Sequence, residues 1–192
     1  MPRTPFETAL VPLGKLFRNR RAGEKNSIRH LHELSTDRQL QLTSSSFAHD
    51  DVIPDTHSPI GRGANISPAL DWNPVPDATT QLLLVMEDVD IPLALPGIHM
   101  VALFPPSITS FSEGALTTEN TAVRFIPDRR GRLGYAGPRP LPGHGPHHYH
   151  FHLYALDKAV PAETDLGSLT ELLSHIHGHV IARGQLTGTQ EG

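Results

Sequence analysis

Residues 82–86 read Leu-Leu-Leu-Val-Met, five apolar side chains in a row between Gln81 and the acidic pair Glu87-Asp88. A run this short, closed at both ends by polar residues, has the length of a β-strand. Its unbroken apolar character implies burial on both faces. The sheet that holds it is therefore covered on either side.

Other short strands are legible around it. Leu40 and Leu42 alternate with Gln39 and Gln41, Leu70 and Trp72 flank a single polar residue, and a strand from His99 through Phe104 is stopped by Pro105-Pro106. Residues 147–156 alternate well enough to form a central strand, and 180–186 read as the last one. Proline, glycine and asparagine make 48–67 an irregular loop, and weak patterning marks 107–146 as a loop or lid region. The clearest helix runs near the C-terminus. Ser168 and Glu171 fit a capping box, Leu169, Leu172, Leu173 and Ile176 share one face, and Gly178 fits the terminating position. Eighteen prolines and 16 glycines among 192 residues, with 38% apolar residues, suit a loop-rich β protein better than a helical bundle.

Residues 1–38 have a different texture. The spacing predicts a helix starting at Pro12, with Leu13, Leu16, Phe17 and Arg20 on one face and Gly23 closing it. A second short helix is expected through Ile28, Leu31 and Leu34. Eight basic residues stand here against four acidic ones, so this segment carries about +4 and the rest about −8 of the net −4. Such a segment is expected to pack on its own acidic domain or on a second subunit, making a homodimer through the extension an alternative. The acidic remainder argues against nucleic-acid binding. The chain has no cysteine, which excludes disulfides and thiolate chemistry. It has no apolar run of about 20 residues and no basic-then-apolar leader pattern, so a cytoplasmic location is expected.

Three segments gather ionisable groups beside apolar strands. In Glu87-Asp88-Val89-Asp90-Ile91-Pro92, extended geometry would place Asp88 and Asp90 on one side, about 6–7 Å apart. Carboxylates at a strand end are ordinarily solvated turn formers. In Gly97-Ile98-His99-Met100-Val101, a lone histidine enters an apolar strand, where a satisfied core imidazole is the ordinary reading. In residues 147–154, alternation puts His147, Tyr149, Phe151 and Leu153 on one face, grading from polar to apolar. His148, His150 and His152 fall on the other face, where i, i+2 pairs could reach one metal ion. No H-E-x-x-H, no G-x-S-x-G elbow and no glycine-rich phosphate loop occurs.

Taken in order, these segments resemble the phosphatidylethanolamine-binding protein family, in particular its bacterial and fungal branch. Leu83 to Val101 is similar to the family's first signature, an apolar strand, D-P-D-A-P and a histidine opening the next strand. Gly145 to Leu153 is similar to the second, G-x-H-R-Y. Ser67 to Trp72, Tyr135 to Pro140 and Gly178 to Thr189 add matches, so the resemblance covers about four-fifths of the chain from Leu40 to Thr189. Val89, Ile91 and His148 depart from the motifs, and the tryptophan usual beside the strand histidine is missing.

The resemblance implies a mainly β fold, with a central antiparallel β-sheet, a smaller second sheet and a C-terminal helix. Here a helical N-terminal extension (1–38) would precede the family domain (39–192). It also implies a small polar pocket for phosphate-type anions or a phospholipid head group. Carried over by motif, the pocket residues are Asp88, Asp90, Pro92, His99, Tyr135, Gly137, His147 and Tyr149. Cationic imidazoles at His99 and His147, their protonation favoured by the nearby carboxylates, are expected to donate to the anion. The expected role is a ligand-binding or regulatory module acting on a kinase or protease, with no cofactor and no catalysis. The alternatives are a metal-dependent hydrolase using the histidine-rich strand, or an acid–base enzyme using the Asp/His pocket.

Overall fold

The structure is a computed structural model that describes residues 5–59 and 61–192. The first four residues of the expected extension, Arg3 among them, lie outside the described residues. Two antiparallel sheets form its framework. The larger has five strands in the order β6-β4-β3-β7-β8: β3 (Gln81–Asp88), β4 (Gly97–Phe104), β6 (Arg124–Phe125), β7 (Pro146–Leu156) and β8 (Val180–Glu191). The smaller joins β1 (Leu42–Thr43), β2 (Leu70–Trp72) and β5 (Ser110–Phe111). The mainly β expectation thus holds. The two-residue strands β5 and β6 fall inside the stretch expected to be loop, where they are too short to leave a periodic trace.

Strand β3 lies at the centre of the large sheet, paired with β4 and β7, and all its residues from Leu82 to Asp88 are buried. Alternate residues feed two cores. Leu82, Leu84 and Met86 join Phe151, Leu153 and the small sheet's Leu42, Leu70 and Phe111 in the inter-sheet core. Leu83 and Val85 join Tyr154, Leu172 and Ile176 on the opposite face. The second core lies under α2 (Leu169–Ile176), whose N-terminus is capped as expected. Ser168 Oγ accepts from the Glu171 amide, and the Glu171 carboxylate accepts from the Gly167 amide.

Before the sheets come α1 (Pro5–Phe17) and three short 3-10 turns at Glu24–Asn26, Ile28–His30 and His32–Leu34. The helix differs from the expected one. Pro12 lies inside it, it ends before Arg20, and Leu13 and Leu16 are exposed rather than docked. Gly14 makes the close contact instead: a Cβ there would sit 2.0 Å from the Pro142 carbonyl oxygen. Hydrophobic periodicity is blind to a face whose contact depends on having no side chain. The expected second helix is broken into 3-10 turns, yet Ile28 and Leu34 are buried in the second core. Among the described residues no helix is long and apolar enough to cross a membrane.

Candidate functional site

The ends of β3, β4 and β7 meet at Asp88. Register pairs Asp88 with Gly97 on one side and Tyr149 on the other. Cross-strand partners share a face, so Asp88 and Tyr149 point to the same side, above Met86 and Phe151. His99 reaches that side through a β-bulge. Met86 pairs with Met100 but Glu87 pairs with Ile98, which leaves His99 as the extra residue on β4. Strict alternation would turn His99 away from Met100's face. The bulge instead sends Ile98 to the second core and sets His99 edge-on to Tyr149, with ring centroids 5.3 Å apart.

The hydrogen bonds fix most protons here. His147 Nδ1 lies 2.7 Å from Asp88 Oδ2, while Asp88 Oδ1 accepts from the Asp90 amide. His147 Nε2 lies 2.8 Å from Nδ1 of His144, and Nε2 of His144 faces the carbonyls of Phe17 and Arg20, each at 3.0 Å. Carbonyls only accept, so Nε2 of His144 carries a proton. One proton must then lie between the two rings and one more between His147 and Asp88. That is one proton beyond two neutral imidazoles and a carboxylate, so the buried Asp88–His147–His144 chain has no net charge. His144 was not among the expected site residues. Its signal is the spacing of three residues before His147 on a Gly-Pro turn, which carries no chemistry until the α1 strap supplies the carbonyls.

His99 Nδ1 lies 2.7 Å from the Ala136 carbonyl and is therefore the protonated nitrogen, while Nε2 makes no hydrogen bond among the described residues. Burial pushes the His99 imidazole below its ordinary range. Asp88 and the Ala136 and Gly137 carbonyls pull the other way, and Arg132 adds to the depression. The expectation of a cationic donor at His99 is thus corrected, because desolvation outweighs the carboxylate. His147 is corrected too, since both its nitrogens already have partners. Tyr149 is fully buried and its hydroxyl has no hydrogen-bond partner among the described residues. Burial, and after it the charge and hydrogen-bonding pull of the nearby Asp88 carboxylate, hold this phenol well above its ordinary range against the Arg139 amide and the Arg62 charge, so it stays an O–H donor. Asp88 and the Arg139 amide stand near the hydroxyl without closing a hydrogen bond to it.

Of the remaining expected residues, Gly137 borders the site through its carbonyl and the others fall elsewhere. Asp90 turns away from Asp88: Oδ1 meets Arg21 at 2.7 Å, and Oδ2 accepts from the His148 amide and ring. Burial raises its carboxyl, but the His148 and Arg21 contacts outweigh that and hold it below the usual range. Pro92 sits in the partly buried loop after Asp90. Tyr135 donates its hydroxyl to the His57 carbonyl and lines a separate groove of about 350 Å³ beside Leu116 and Leu133. Gly137 is structural as well. A Cβ there would lie 1.8 Å from the His57 carbonyl oxygen, and its amide is held by Asn65 Oδ1. Asn65, also not foreseen, clamps the loop that offers the Ala136 carbonyl to His99, for its amide donates to the Tyr135 carbonyl.

On the other face of β7 each histidine has its own acid. His148 meets Asp90, His150 meets Glu24 at 2.8 Å, and His152 meets Glu87 at 2.8 Å. Glu87 also accepts from the Ser27 hydroxyl and the Ile28 amide. These contacts fasten the N-terminal extension to the sheet. No group of three or more metal-ligating side chains able to hold one ion occurs among the described residues.

The family model described as phosphatidylethanolamine-binding protein matches residues 43–191. This chain belongs to that family. A UPF0098 protein of Pyrococcus horikoshii is 34% identical over 152 residues, covering 77% of this chain and 75% of its own. One from Chlamydia muridarum is 33% identical over 157 residues, covering 79% and 99%. Among solved structures, a phosphatidylethanolamine-binding protein homologue from Chlamydia trachomatis superposes with a TM-score of 0.70 at 31% identity, covering 81% of this chain and 99% of its own. YbcL of E. coli, described as a member of the mammalian PEBP family, gives 0.71 at 25% identity over 80% and 98%. Asp88, His99, His144, His147 and Tyr149 all lie within the family span. The strap residues Phe17, Arg20, Arg21 and Glu24 precede it.

Proposed function

We propose that this phosphatidylethanolamine-binding-family chain is a ligand-binding module whose site at Asp88, His99, His147 and Tyr149 takes a phosphate-type anion, such as the phosphorylethanolamine head group. The observation that carries the reading is the Tyr149 hydroxyl, fully buried and without a partner among the described residues. Leaving such a donor unsatisfied costs about 1–3 kcal/mol, which an acceptor oxygen from a ligand would recover. Charge supports an anion there. By its hydrogen-bond count the Asp88–His147–His144 chain as a whole has no net charge, and the positive charges of Arg62 and Arg132 reach Tyr149 and His99 respectively. The regulatory role toward a kinase or protease that the family resemblance implies would be exercised through occupancy of this site.

Calorimetric titration of phosphorylethanolamine into wild type and a His99→Ala, His147→Ala double variant tests the proposal. Saturable binding by wild type and its loss in the variant are expected. Equal binding by both would remove this site from the account.

A further inference from the structure

The donors and acceptors around the site specify more than negative charge. Both oxygens of Asp88 are engaged, by His147 and by the Asp90 amide, and both nitrogens of His147 are engaged, by Asp88 and His144. Two polar atoms here have no hydrogen-bond partner among the described residues, and they are of opposite kind. The Tyr149 hydroxyl can donate. His99 Nε2 can only accept, because the Ala136 carbonyl fixes the ring proton on Nδ1. The two rings are neighbours, edge to face with centroids 5.3 Å apart.

An anion whose oxygens are all bare would satisfy Tyr149 but set a lone pair against that of His99 Nε2. One with a hydroxyl among its oxygens satisfies both. Accordingly, and resting on the anion-site reading above, we propose that the bound anion carries a proton on the oxygen that meets His99 Nε2. The site then selects hydrogen phosphate or a singly protonated phosphate monoester over a fully deprotonated oxyanion of the same shape, such as sulfate. The charged and titratable groups around His99 are Asp88 from β3, Tyr149 from β7 with His147 beside it, and Arg132 from the loop before Tyr135. Of these, Asp88 alone favours an imidazolium, and burial outweighs it.

Inorganic phosphate and sodium sulfate, titrated separately into the full chain at pH 8, give the test. Phosphate still holds a P–OH there and sulfate holds no proton. A site that hydrogen-bonds a hydroxyl rejects an analogue lacking it, so phosphate is expected to bind at least about tenfold more tightly. In His99→Gln the side chain can present either an amide N–H or a carbonyl, and the ratio should shrink toward one. Phosphorylethanolamine, whose second phosphate proton leaves near about pH 6, should bind roughly tenfold more tightly at pH 7 than at pH 8 and about fivefold more tightly again at pH 6. Nitrogen-15 NMR of wild type with saturating phosphate should show His99 Nε2 still without a proton, a readout that does not depend on the variant folding. Equal affinity for phosphate and sulfate, or a protonated Nε2 in the complex, would overturn the proposal while leaving the anion site in place. Failure of both anions to bind would overturn the site itself.

Discussion

Strand β7 carries histidine on both faces, and the two faces are finished differently. On one, His148, His150 and His152 each close on a separate acid, and those acids or their other partners belong to the N-terminal extension. On the other, His147 leads into a relay that ends on the carbonyls of the same extension, while the Tyr149 hydroxyl beside it has no hydrogen-bond partner among the described residues. The first face is a fastening whose groups are mutually satisfied. The second leaves one donor and one acceptor over, as a binding site must.

Tyr154 shows why an orphaned hydroxyl needs its surroundings read with it. Its Oη and the nearby Gln185 Oε1 also have no hydrogen-bond partner among the described residues. They lie at a cavity of about 20 Å³ lined by Arg29, His152 and Arg183, which has room for one water and polar groups to hold it. Tyr149 has Asp88, His99 and the charge of Arg62 around it instead.

The sharpest way to break the contrast is to attack the fastening. Glu87 is fully buried with His152, Ser27 and Ile28 as partners, so Glu87→Ala should cost about 3–5 kcal/mol in chemical denaturation. A loss under 1 kcal/mol would mean that these contacts do little to hold the extension.

Acid tests the same face more gently. Burial outweighs the Glu87 contacts at His152 and lowers its imidazole, as it does at His99. Between the ordinary histidine value of 6.5 and the lower folded value, the unfolded chain binds more protons than the folded one. Stability should therefore fall as pH drops below 6.5, and His152→Gln should flatten part of that slope in thermal melts across pH. At Glu87 burial raises the carboxyl, but the His152, Ser27 and Ile28 contacts outweigh it, and at Asp90 the His148 and Arg21 contacts do the same. What these two depressed groups contribute is present above their ordinary values of 4.5 and 3.8 and disappears as pH falls through the folded ones.

The fastening and the fold differ in how far the sequence reveals them. The run 82–86 announced a strand covered on both faces because five adjacent apolar residues admit few other placements. The split of residues 147–154 into two faces followed from alternation alone. Neither route could show His99 on the Tyr149 side, since alternation puts it opposite and only the bulge at Met86/Glu87 turns it back. Nor could composition reveal that His147 has no free nitrogen. That depends on His144 and on two carbonyls more than 120 residues away in the chain. Asp90 was legible as an acid near a strand end, but its partner Arg21 lies in the extension, where no motif points to it.

A smaller effect is expected at Arg21, whose side chain is about a third exposed. Arg21→Ala should cost about 1 kcal/mol, less in high salt, and should speed tryptic cleavage near Arg18 and Arg20. No loss of stability is expected on the binding face. Tyr149→Phe removes a buried hydroxyl with no partner among the described residues, so denaturation of the ligand-free protein should show a gain of about 1 kcal/mol or more. Its affinity for phosphorylethanolamine should nevertheless fall about tenfold, the worth of one hydrogen bond to a charged group. Tyr154→Phe should bind like wild type, and a Tyr154 variant that lost binding would erase the distinction between the faces.

The most direct measurement is a high-resolution crystal structure grown with phosphorylethanolamine. The phosphate group is expected within hydrogen-bond distance of both Tyr149 Oη and His99 Nε2, with the Asp88–His147–His144 chain undisturbed. A phosphate bound elsewhere while the Tyr149 hydroxyl stays without a partner would contradict the account.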